Sequence, residues 1–453
     1  MKEKERTIGT PICDFVRKYA ASGTVRLHMP GHKGRALLGP EMLDITEIEG
    51  ADSLYEAEGI IAASEKNASA LFGAHSFYST EGSSQCIRAM LYLAALHARA
   101  RGHARMHVLA GRNAHKTFVG ALALLDADVT WLTEGESYLT CAVTPARVER
   151  RLRESGADTL YLTSPDYLGN TVDIAAIAAV CRRLGVLFLV DNAHGAYLKF
   201  LSPSRHPMDL GADICCDSAH KTLPVLTGGA YLHLSHAAPS ALVGQARRAL
   251  AMFGSTSPSY LILQSLDAVN PLLDGNYPAA LAATAVRVLA LRELLTRRGY
   301  RCTGDEPIKL TLTPRSYGYT GTELAAHLRR GGVECEFADP DHLVLMFTPA
   351  TVEEDFDRLQ ALLTDLPRRE PSLGGPPPMT LPERVMSVRE ALLSPSEVLP
   401  VGECIGRVLA AATVGCPPAV PIVVSGERIG ADALACFAYY GIETCRVCLP
   451  ADI

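Results

Sequence analysis

The sequence predicts an α/β protein whose large domain is built on a mainly parallel sheet. From about residue 61 to 235, short apolar runs alternate with longer helical patterns, and some runs, such as 186–190, are apolar throughout. Strands of that composition are buried on both faces, as they are in a parallel sheet covered by helices. Ligands of such sheets bind beyond the carboxyl ends of the strands, so polar residues that follow the runs are candidates for a site.

The elements follow in order along the chain. Helices are predicted at 64–72, 87–96, 116–125, 174–184 and 275–298, and strands at 76–79, 108–110, 159–163, 186–190, 214–216 and 230–234. Residues 306–365 have the strand–helix–strand–helix pattern of a small α+β domain, and the Gly/Pro-rich stretch 368–382 is typical of a semi-rigid linker. We therefore expect an irregular N-terminal segment (1–60), a large domain (61–298), a small domain (299–367), the linker (368–382) and a C-terminal domain (383–453).

Composition excludes several functional classes. Of 453 residues, 48% are hydrophobic and 20% charged, which is typical of a folded globular protein. The net charge of −6 gives no reason to expect nucleic acid or an anionic membrane as a partner. The N-terminus lacks the apolar core of a signal peptide, and no apolar run approaches the roughly 20 residues of a spanning helix. We expect a cytoplasmic protein.

The 13 cysteines are an odd number scattered through a long chain, which indicates reduced thiols. Cys445 and Cys448 form a CxxC pair, but there is no second pair and no nearby histidine. We interpret them as ordinary thiols rather than as a metal or redox site. The adjacent Cys215 and Cys216 are expected in the core, and no metal is expected.

The most informative residues are Asp191 and Lys221, each of which follows a short strand-like run. Pyridoxal phosphate (PLP) needs a lysine amine to hold its aldehyde as a Schiff base, and an acid to keep its pyridine nitrogen protonated. A lysine after a strand is usually only solvated. The neighbouring Ser218 and His220, and the later Gly228-Gly229 pair, favour the cofactor interpretation.

Two serine-rich segments and two histidines are further candidates. Residues 79–84 lie between a strand and a helix, where hydroxyls and N–H groups can bind a phosphate, although Ser83 or Ser84 could simply cap the helix. Residues 255–259 open a helix, either as a cap with proline in the first turn or as a second phosphate loop. His115 could cap a helix or lie over a planar ring, and His194 could orient Asp191 or touch the cofactor.

Seven motifs, in this order, resemble those of the Orn/Lys/Arg decarboxylase family of PLP enzymes, which has the aspartate aminotransferase type of fold (fold type I). They are His28-Met-Pro-Gly-His-Lys-Gly34, Thr46-Glu-Ile-Glu-Gly50, Asn113-Ala-His-Lys116, Thr163-Ser-Pro165, Asp191-Asn-Ala-His-Gly195, Ser218-Ala-His-Lys221 and Ser255-Thr-Ser-Pro-Ser-Tyr260. Residues 383–429, with Pro417-Pro-Ala-Val-Pro421 and Gly426-Glu427, resemble the family's C-terminal decarboxylase domain. The likeness is to the compact form of the family.

The resemblance implies a role for each candidate residue. Lys221 would be the Schiff-base lysine, Asp191 the pyridinium partner, and His115 a residue that stacks on the ring. Gly82, Ser83, Ser84 and His220 would hold the phosphate, with Ser218 and His194 also at the cofactor. Ser255 and Thr256 would reach the cofactor of a neighbouring subunit, which implies a homodimer or an assembly of dimers with shared active sites.

The implied activity is decarboxylation of arginine, lysine or ornithine to a polyamine precursor and carbon dioxide. Lys221 or His220 would return a proton to Cα, and Glu49, Asp52, Glu56 or Glu427 would bind the distal charge of the substrate. Four departures, Asn192, Glu81, Gly228 and Ser425, replace residues more usual in the family and leave substrate and activity open. The alternatives are a PLP aminotransferase or lyase, for which Arg315, Arg329 and Arg330 are available, and a catalytically silent PLP-binding paralogue.

Overall fold

The computed structural model describes residues 8–133, 143–372, 374–416 and 420–450. Its helices are α1 Pro11–Ala21, α2 Ile60–Phe72, α3 Gly82–Ala100, α4 Lys116–Leu125, α5 Pro145–Ser155, α6 Ile174–Leu184, α7 Pro207–Leu210, α8 Ala219–Thr222, α9 Ser240–Val243, α10 Ala246–Ala251, α11 Tyr260–Asp274, α12 Tyr277–Arg298, α13 Gly321–Arg330, α14 Glu353–Thr364, α15 Val388–Leu393 and α16 Ala431–Tyr439.

The strands are β1 His75–Ser79, β2 His107–Gly111, β3 Asp128–Leu132, β4 Thr159–Thr163, β5 Leu187–Asp191, β6 Ile214–Asp217, β7 Ala230–Leu234, β8 Arg301–Thr303, β9 Lys309–Thr313, β10 Phe337–Ala338, β11 Leu343–Met346, β12 Ser396–Pro400, β13 Thr413–Cys416, β14 Val420–Val424 and β15 Thr444–Cys448. The chain forms two compact units. Unit 1 comprises Met1–Ala100 and Phe188–Leu281, and unit 2 comprises Arg101–Leu187 and Ala282–Ile453. The linear domain boundaries expected from the sequence remain a prediction.

Unit 1 orders its strands β1–β7–β6–β5. β5 and β6 run parallel, whereas β7 is antiparallel to both β6 and β1. Every residue of β5, β6 and β7 is buried, which explains why these strands are mostly apolar on both faces. In the same unit α3 packs on β6 and β7, and α2 packs on β1.

Unit 2 holds the parallel strands β4–β2–β3 and, separately, the four-stranded antiparallel sheet β10–β11–β9–β8. The small sheet packs with α13 and α14 around a core that includes Leu310, Leu345 and Phe356. The C-terminal part of unit 2 adds the antiparallel strand pairs β12–β15 and β13–β14. Arg384 and Arg389 donate hydrogen bonds to carbonyls of Val129 (2.8 Å) and Ala123 (2.8 Å), which ties this part to β3 and α4.

The structure confirms the predicted α/β class and most predicted elements. The expectation that residues 1–60 are irregular is wrong in one place, because α1 forms there and buries Ile12 and Val16. Cys215 and Cys216 are buried, as expected of core thiols, and Cys445 and Cys448, interpreted as ordinary thiols, are free and buried as well. Among the described residues, no helix combines the length and apolar character needed to cross a bilayer.

Candidate active site

Asp191 is the last residue of β5 and not, as predicted, the residue after the strand. It pairs in register with Cys216 of β6, so the two side chains lie on the same face of the sheet. The Cys216 thiol lies 3.7 Å from Asp191 Oδ1, and the Ala193 N–H donates to the same oxygen at 3.2 Å. The carboxylate is 2% exposed, so a cation or N–H group of a ligand would meet it in a largely water-free place.

Lys221 lies in α8, the short helix that follows β6. Its Nζ is 3.0 Å from Nε2 of His194. Because an ammonium can only donate, this contact places the lone pair of His194 on Nε2. The turn after β5 and the helix after β6 therefore bring a lysine amine, a buried imidazole and Asp191 to one end of two parallel strands, as the sequence predicted.

The N-terminus of α3 forms a cradle beside this end of the sheet. Gly82 begins the helix with φ +70°, and Ser218 and Ser83 share a hydrogen bond between their Oγ atoms at 2.8 Å. The Gly82 N–H donates to the Gly228 carbonyl at 2.7 Å. A helix of 19 residues directs N–H groups and a positive dipole end at this point, which suits a phosphate.

His220 closes the cradle. Its Nδ1 donates to the Gly229 carbonyl at 2.9 Å, and a Cβ built on Gly82 would lie 3.9 Å from its Cε1. Gly228 has φ +101°, and a Cβ there would lie 2.8 Å from the Thr80 carbonyl. The glycine at 228 therefore lets two backbone segments meet behind the predicted phosphate site, which explains one of the four departures.

Ser255 and Thr256 are exposed in the single chain. The Ser255 N–H donates to the carboxylate of Glu81, which precedes Gly82. Ser259 caps α11 by accepting the Ile262 N–H at 3.4 Å. Pro258 therefore precedes the cap, and the prediction that this proline lies in the first turn of the helix is wrong. A contact of Ser255 and Thr256 with a neighbouring subunit's cofactor remains a prediction.

His115 belongs to unit 2, where it caps α4. Its Nδ1 accepts the Thr117 N–H at 3.3 Å and lies 3.0 Å from the Thr117 hydroxyl. The capping interpretation of His115 is thus confirmed, and the ring proton lies on Nε2 because Nδ1 accepts. Stacking on the cofactor remains a prediction for this residue.

Two of the four carboxylates predicted to bind the distal charge of the substrate already have partners in the fold. Glu427 receives both guanidinium nitrogens of Arg112, each at 2.7 Å, and also the Val424 N–H at 2.8 Å. Asp52 accepts the N–H groups of Gly59 (2.8 Å) and Ile61 (3.0 Å) at the start of α2. Glu49 and Glu56 have exposed side chains.

Arg315, one arginine considered for an aminotransferase, is held in a similar way. Its Nε donates to Asp341 at 2.7 Å, and Nη2 donates to the Tyr439 hydroxyl at 2.9 Å. Arg329 donates to Glu334 at 3.0 Å. These pairs occupy two of the guanidinium groups that an aminotransferase would use for its substrate carboxylate.

The departure at Asn192 has a structural reason that the sequence did not reveal. Asn192 follows Asp191 and therefore lies on the opposite face of the sheet, where its Nδ2 donates to Asp217 at 2.6 Å. A glutamate at position 192 would set a second carboxylate against Asp217. Ser425, another departure, is buried and lies 3.5 Å from the Val388 and Leu409 carbonyls. Residues 417–419 of the Pro417–Pro421 motif lie outside the described residues.

Sequence reasoning missed Asp217 and its two histidine neighbours, His206 and His233. All three are fully buried, and both Nε2 atoms contact Asp217 Oδ2. A signal was present, because Asp217 is a charged residue between an apolar strand and the Ser218–Lys221 motif. The histidines lie 11 and 16 residues from it in the chain, and no spacing rule connects them.

The described residues of unit 1 fit the cofactor PLP. They supply an amine for its aldehyde, a buried carboxylate for its pyridine nitrogen, and a helix start with hydroxyls for its phosphate. In unit 1 the structure brings together Lys221, Asp191 and His194, and, around the helix start, Gly82, Ser83, Ser84, Ser218 and His220. This geometry is suited to chemistry at the α-carbon of an amino acid.

Comparison with known proteins agrees with the geometry. A family model described as "Orn/Lys/Arg decarboxylase, major domain" matches residues 10–303, which is more than half of the chain. An arginine decarboxylase of Bacillus subtilis is 29% identical over 93% of this chain and 91% of that protein. An arginine decarboxylase of Halalkalibacterium halodurans is 28% identical over 98% of this chain and 95% of that protein.

Solved structures give the same fold. The lysine decarboxylase LdcF of Francisella novicida matches with a TM-score of 0.80 at 15% identity, covering 98% of this chain and 81% of that one. This likeness confirms the fold type I class predicted from the sequence. Enzymes of this family, and the aminotransferase-like proteins that share the fold, are PLP-dependent in general.

Proposed function

The chain belongs to the Orn/Lys/Arg decarboxylase family, and we propose that it is an arginine decarboxylase. It releases carbon dioxide and agmatine from arginine, with PLP held at Lys221. The observation that carries the proposal is the convergence in unit 1 of Lys221, His194 and Asp191 at one end of β5 and β6. The choice of arginine is supported by full-length relatives that are named arginine decarboxylases.

The protein's part in the chemistry is to hold charges and protons at fixed atoms. PLP, when bound, supplies the ring that accepts the electrons left by the departing carboxylate. Asp191 keeps a proton on the ring nitrogen, and Ser83, Ser84 and the α3 N-terminus hold the phosphate. His220 is anchored by its Nδ1–H to the Gly229 carbonyl, so Nε2, once it has taken up a proton, is the atom from which His220 can protonate Cα. The Lys221 amine is the second candidate donor.

The guanidinium of arginine needs an acidic partner, because an unpaired buried cation is costly. Asp52 and Glu427 are already satisfied by backbone N–H groups and by Arg112, so we assign this role to Glu49 or Glu56. Glu49→Gln and Glu56→Gln should be compared, with the exposed Glu58→Gln as matched control. Substitution of the residue that binds the guanidinium should raise KM for arginine and leave kcat nearly unchanged. Equal KM values in all three variants would exclude both Glu49 and Glu56 from this role.

The decisive assay measures carbon dioxide release from arginine, lysine and ornithine. The purified protein with PLP should show a visible absorption band and turn over arginine fastest. Lys221→Ala should lose the band and the activity, whereas Lys199→Ala, which removes a lysine paired with Asp209 at 2.6 Å, should keep both. A keto acid without carbon dioxide would indicate an aminotransferase, and a band without turnover of any amino acid would indicate a silent paralogue.

We also propose a homodimer with shared sites, in which the exposed Ser255 and Thr256 contact the neighbouring subunit's cofactor. Light scattering after gel filtration should give at least twice the 48.5 kDa of one chain. Lys221→Ala mixed with a Ser255→Trp variant should regain activity that neither has alone, because a hybrid dimer contains one intact site. A monomer, or no recovery in the mixture, would contradict the shared site.

A further inference from the structure

A fully buried cluster lies at the ends of β5 and β6, on the face opposite Asp191. Asp217, His206 and His233 each have no exposed surface. Asp217 Oδ2 accepts hydrogen bonds from Nε2 of His206 at 2.9 Å and from Nε2 of His233 at 3.2 Å. Its Oδ1 accepts from Nδ2 of Asn192 at 2.6 Å. Three donors from three different segments thus meet one carboxylate.

A His–Asp–His group with ligand atoms within 4.8 Å of one another has the composition of a metal site, but the ring protons oppose that assignment. Nδ1 of His206 accepts the Met208 N–H at 3.3 Å, where His206 caps α7. The proton of a neutral ring is therefore on Nε2, the atom that faces Asp217. A metal needs a lone pair on that nitrogen, so the geometry favours a hydrogen-bonded cluster.

The cluster holds an ionised carboxylate. Burial by itself would raise the pKa of Asp217, but His206 and His233 outweigh burial and hold the pKa below its usual range. Phe72 packs 4.5 Å from the His233 ring and 5.5 Å from the His206 ring, which keeps the histidines in place. A buried carboxylate that accepts hydrogen bonds from three donors is costly to disturb. The segments that carry these donors are therefore held rigidly around Asp217.

The cluster connects the two halves of the cofactor site. Asn192 directly follows Asp191, and Asp217 directly precedes Ser218, the residue that contacts Ser83 and begins the turn to Lys221. We propose that Asp217 is a positioning residue that fixes Asp191 and Lys221 relative to each other through Asn192 on one side and the Ser218–Lys221 segment on the other. The inference rests on the proposed function, in which Asp191 and Lys221 both touch the cofactor.

The test compares two buried aspartates of unit 1. Asp217→Asn replaces an acceptor by a donor where Asn192 and His206 both donate, so at least one N–H group loses its partner. Asp267→Asn is the matched control. Asp267 is also fully buried and accepts from the Cys13 N–H (2.9 Å) and the Ser64 hydroxyl (2.5 Å), within another part of the unit.

Four quantities are measured for each variant: the thermal midpoint without cofactor, the dissociation constant for PLP, the visible spectrum and kcat. Asp217→Asn should weaken PLP binding, shift the visible band and lower kcat on the order of 10- to 100-fold, as misplacement of reacting groups does. Asp267→Asn should lower the thermal midpoint but leave the PLP dissociation constant and spectrum at the parent values. If both variants lose PLP affinity in proportion to their thermal midpoints, Asp217 is only structural and the inference is wrong.

If Asp217→Asn does not fold, a milder pair of variants tests the same proposal. His233→Leu removes one donor to Asp217, whereas His233→Gln keeps an N–H at about the same place. The glutamine should restore the spectrum and PLP affinity that the leucine loses, and equal behaviour of the two would overturn the inference. One equivalent of bound transition metal in the parent, lost in both variants, would overturn it as well. Absence of any visible band in the parent would instead refute the proposed function.

Discussion

Asp191 and Asp217 end neighbouring parallel strands of one sheet, yet their side chains lie on opposite faces and meet different surroundings. Asp217 accepts three N–H donors that the fold itself provides, from Asn192, His206 and His233. Asp191 lies beside the Cys216 thiol, on the face where we propose that the cofactor binds. A register shift of one residue would exchange the two environments, because side chains alternate along a strand. A carboxylate that holds the fold together can therefore lie one register position away from a carboxylate that we propose acts on the cofactor.

Unit 2 also contains a carboxylate, that of Glu427, which the fold itself uses. Arg112 and Glu427 form a two-pronged ion pair at 2.7 Å, with side chains 5% and 2% exposed, and Arg112 lies over the Trp131 ring at 5.1 Å. Such a pair couples the end of β2 to the turn after β14. Its members are unsuited to bind a substrate, because releasing either would leave a buried charge without a partner.

Removing the carboxylate of Asp191 should have the largest effect on turnover. We expect Asp191→Ala to lower kcat by about 10²–10⁴-fold, because the ring nitrogen would lose the group that keeps its proton. The thermal midpoint without cofactor should change little. Steady-state carbon dioxide release and differential scanning calorimetry measure the two quantities. Full activity in this variant would remove the distinction between Asp191 and the structural aspartates.

Breaking the Arg112–Glu427 pair should cost stability rather than chemistry. Glu427→Ala leaves the Arg112 guanidinium buried and unpaired, which should lower the free energy of unfolding by about 3–5 kcal/mol. The double variant Arg112→Met/Glu427→Leu should recover most of that loss. Denaturant titration of the three proteins measures both effects, and a double variant no more stable than Glu427→Ala would contradict the pairing argument.

The sequence predicted the elements best where apolar runs were bounded by polar residues. Helix 116–125 and strands 159–163 and 230–234 were placed at their observed bounds. It missed α5, because Pro145–Ser155 is mostly charged and buries only Val148 and Leu152. α1 was missed because the many glycines and histidines of residues 1–60 suggested irregular structure.

The site was predicted as far as local motifs reach. Lys221, His194 and Asp191 were assigned together because each follows a strand of one sheet, and the ends of parallel strands meet at one edge. The pairing of Arg112 with Glu427, 315 residues apart, and the meeting of His206, Asp217 and His233 depend on tertiary packing. No periodicity in the sequence carries such contacts, nor does it reveal which ring nitrogen bears a proton.

Replacing Gly228 should lower the free energy of unfolding less than breaking the Arg112–Glu427 pair does. Its φ of +101° and the 2.8 Å approach of a Cβ to the Thr80 carbonyl mean that alanine must move the backbone before Gly82. We expect Gly228→Ala to cost about 1–3 kcal/mol and to weaken PLP binding. Gly120→Ala, where a Cβ would meet nothing within 4 Å, is the matched control. Equal PLP affinity in the two variants would separate Gly228 from the cofactor site.

The smallest effect should appear in the acid limb of the stability curve, and it returns to Asp217. The pKa of Asp217 is lowered in the folded protein, so its stabilising contribution is complete above the ordinary value of 3.8 and is lost as pH falls below it. Asp217→Asn removes this proton uptake. The variant should therefore be less stable than the parent at pH 7, and the difference should shrink as pH falls from about 4 toward 2. Calorimetric midpoints over that range measure the convergence. Parallel curves would mean that folding leaves the pKa of Asp217 unchanged, which would contradict a carboxylate stabilised by its three donors.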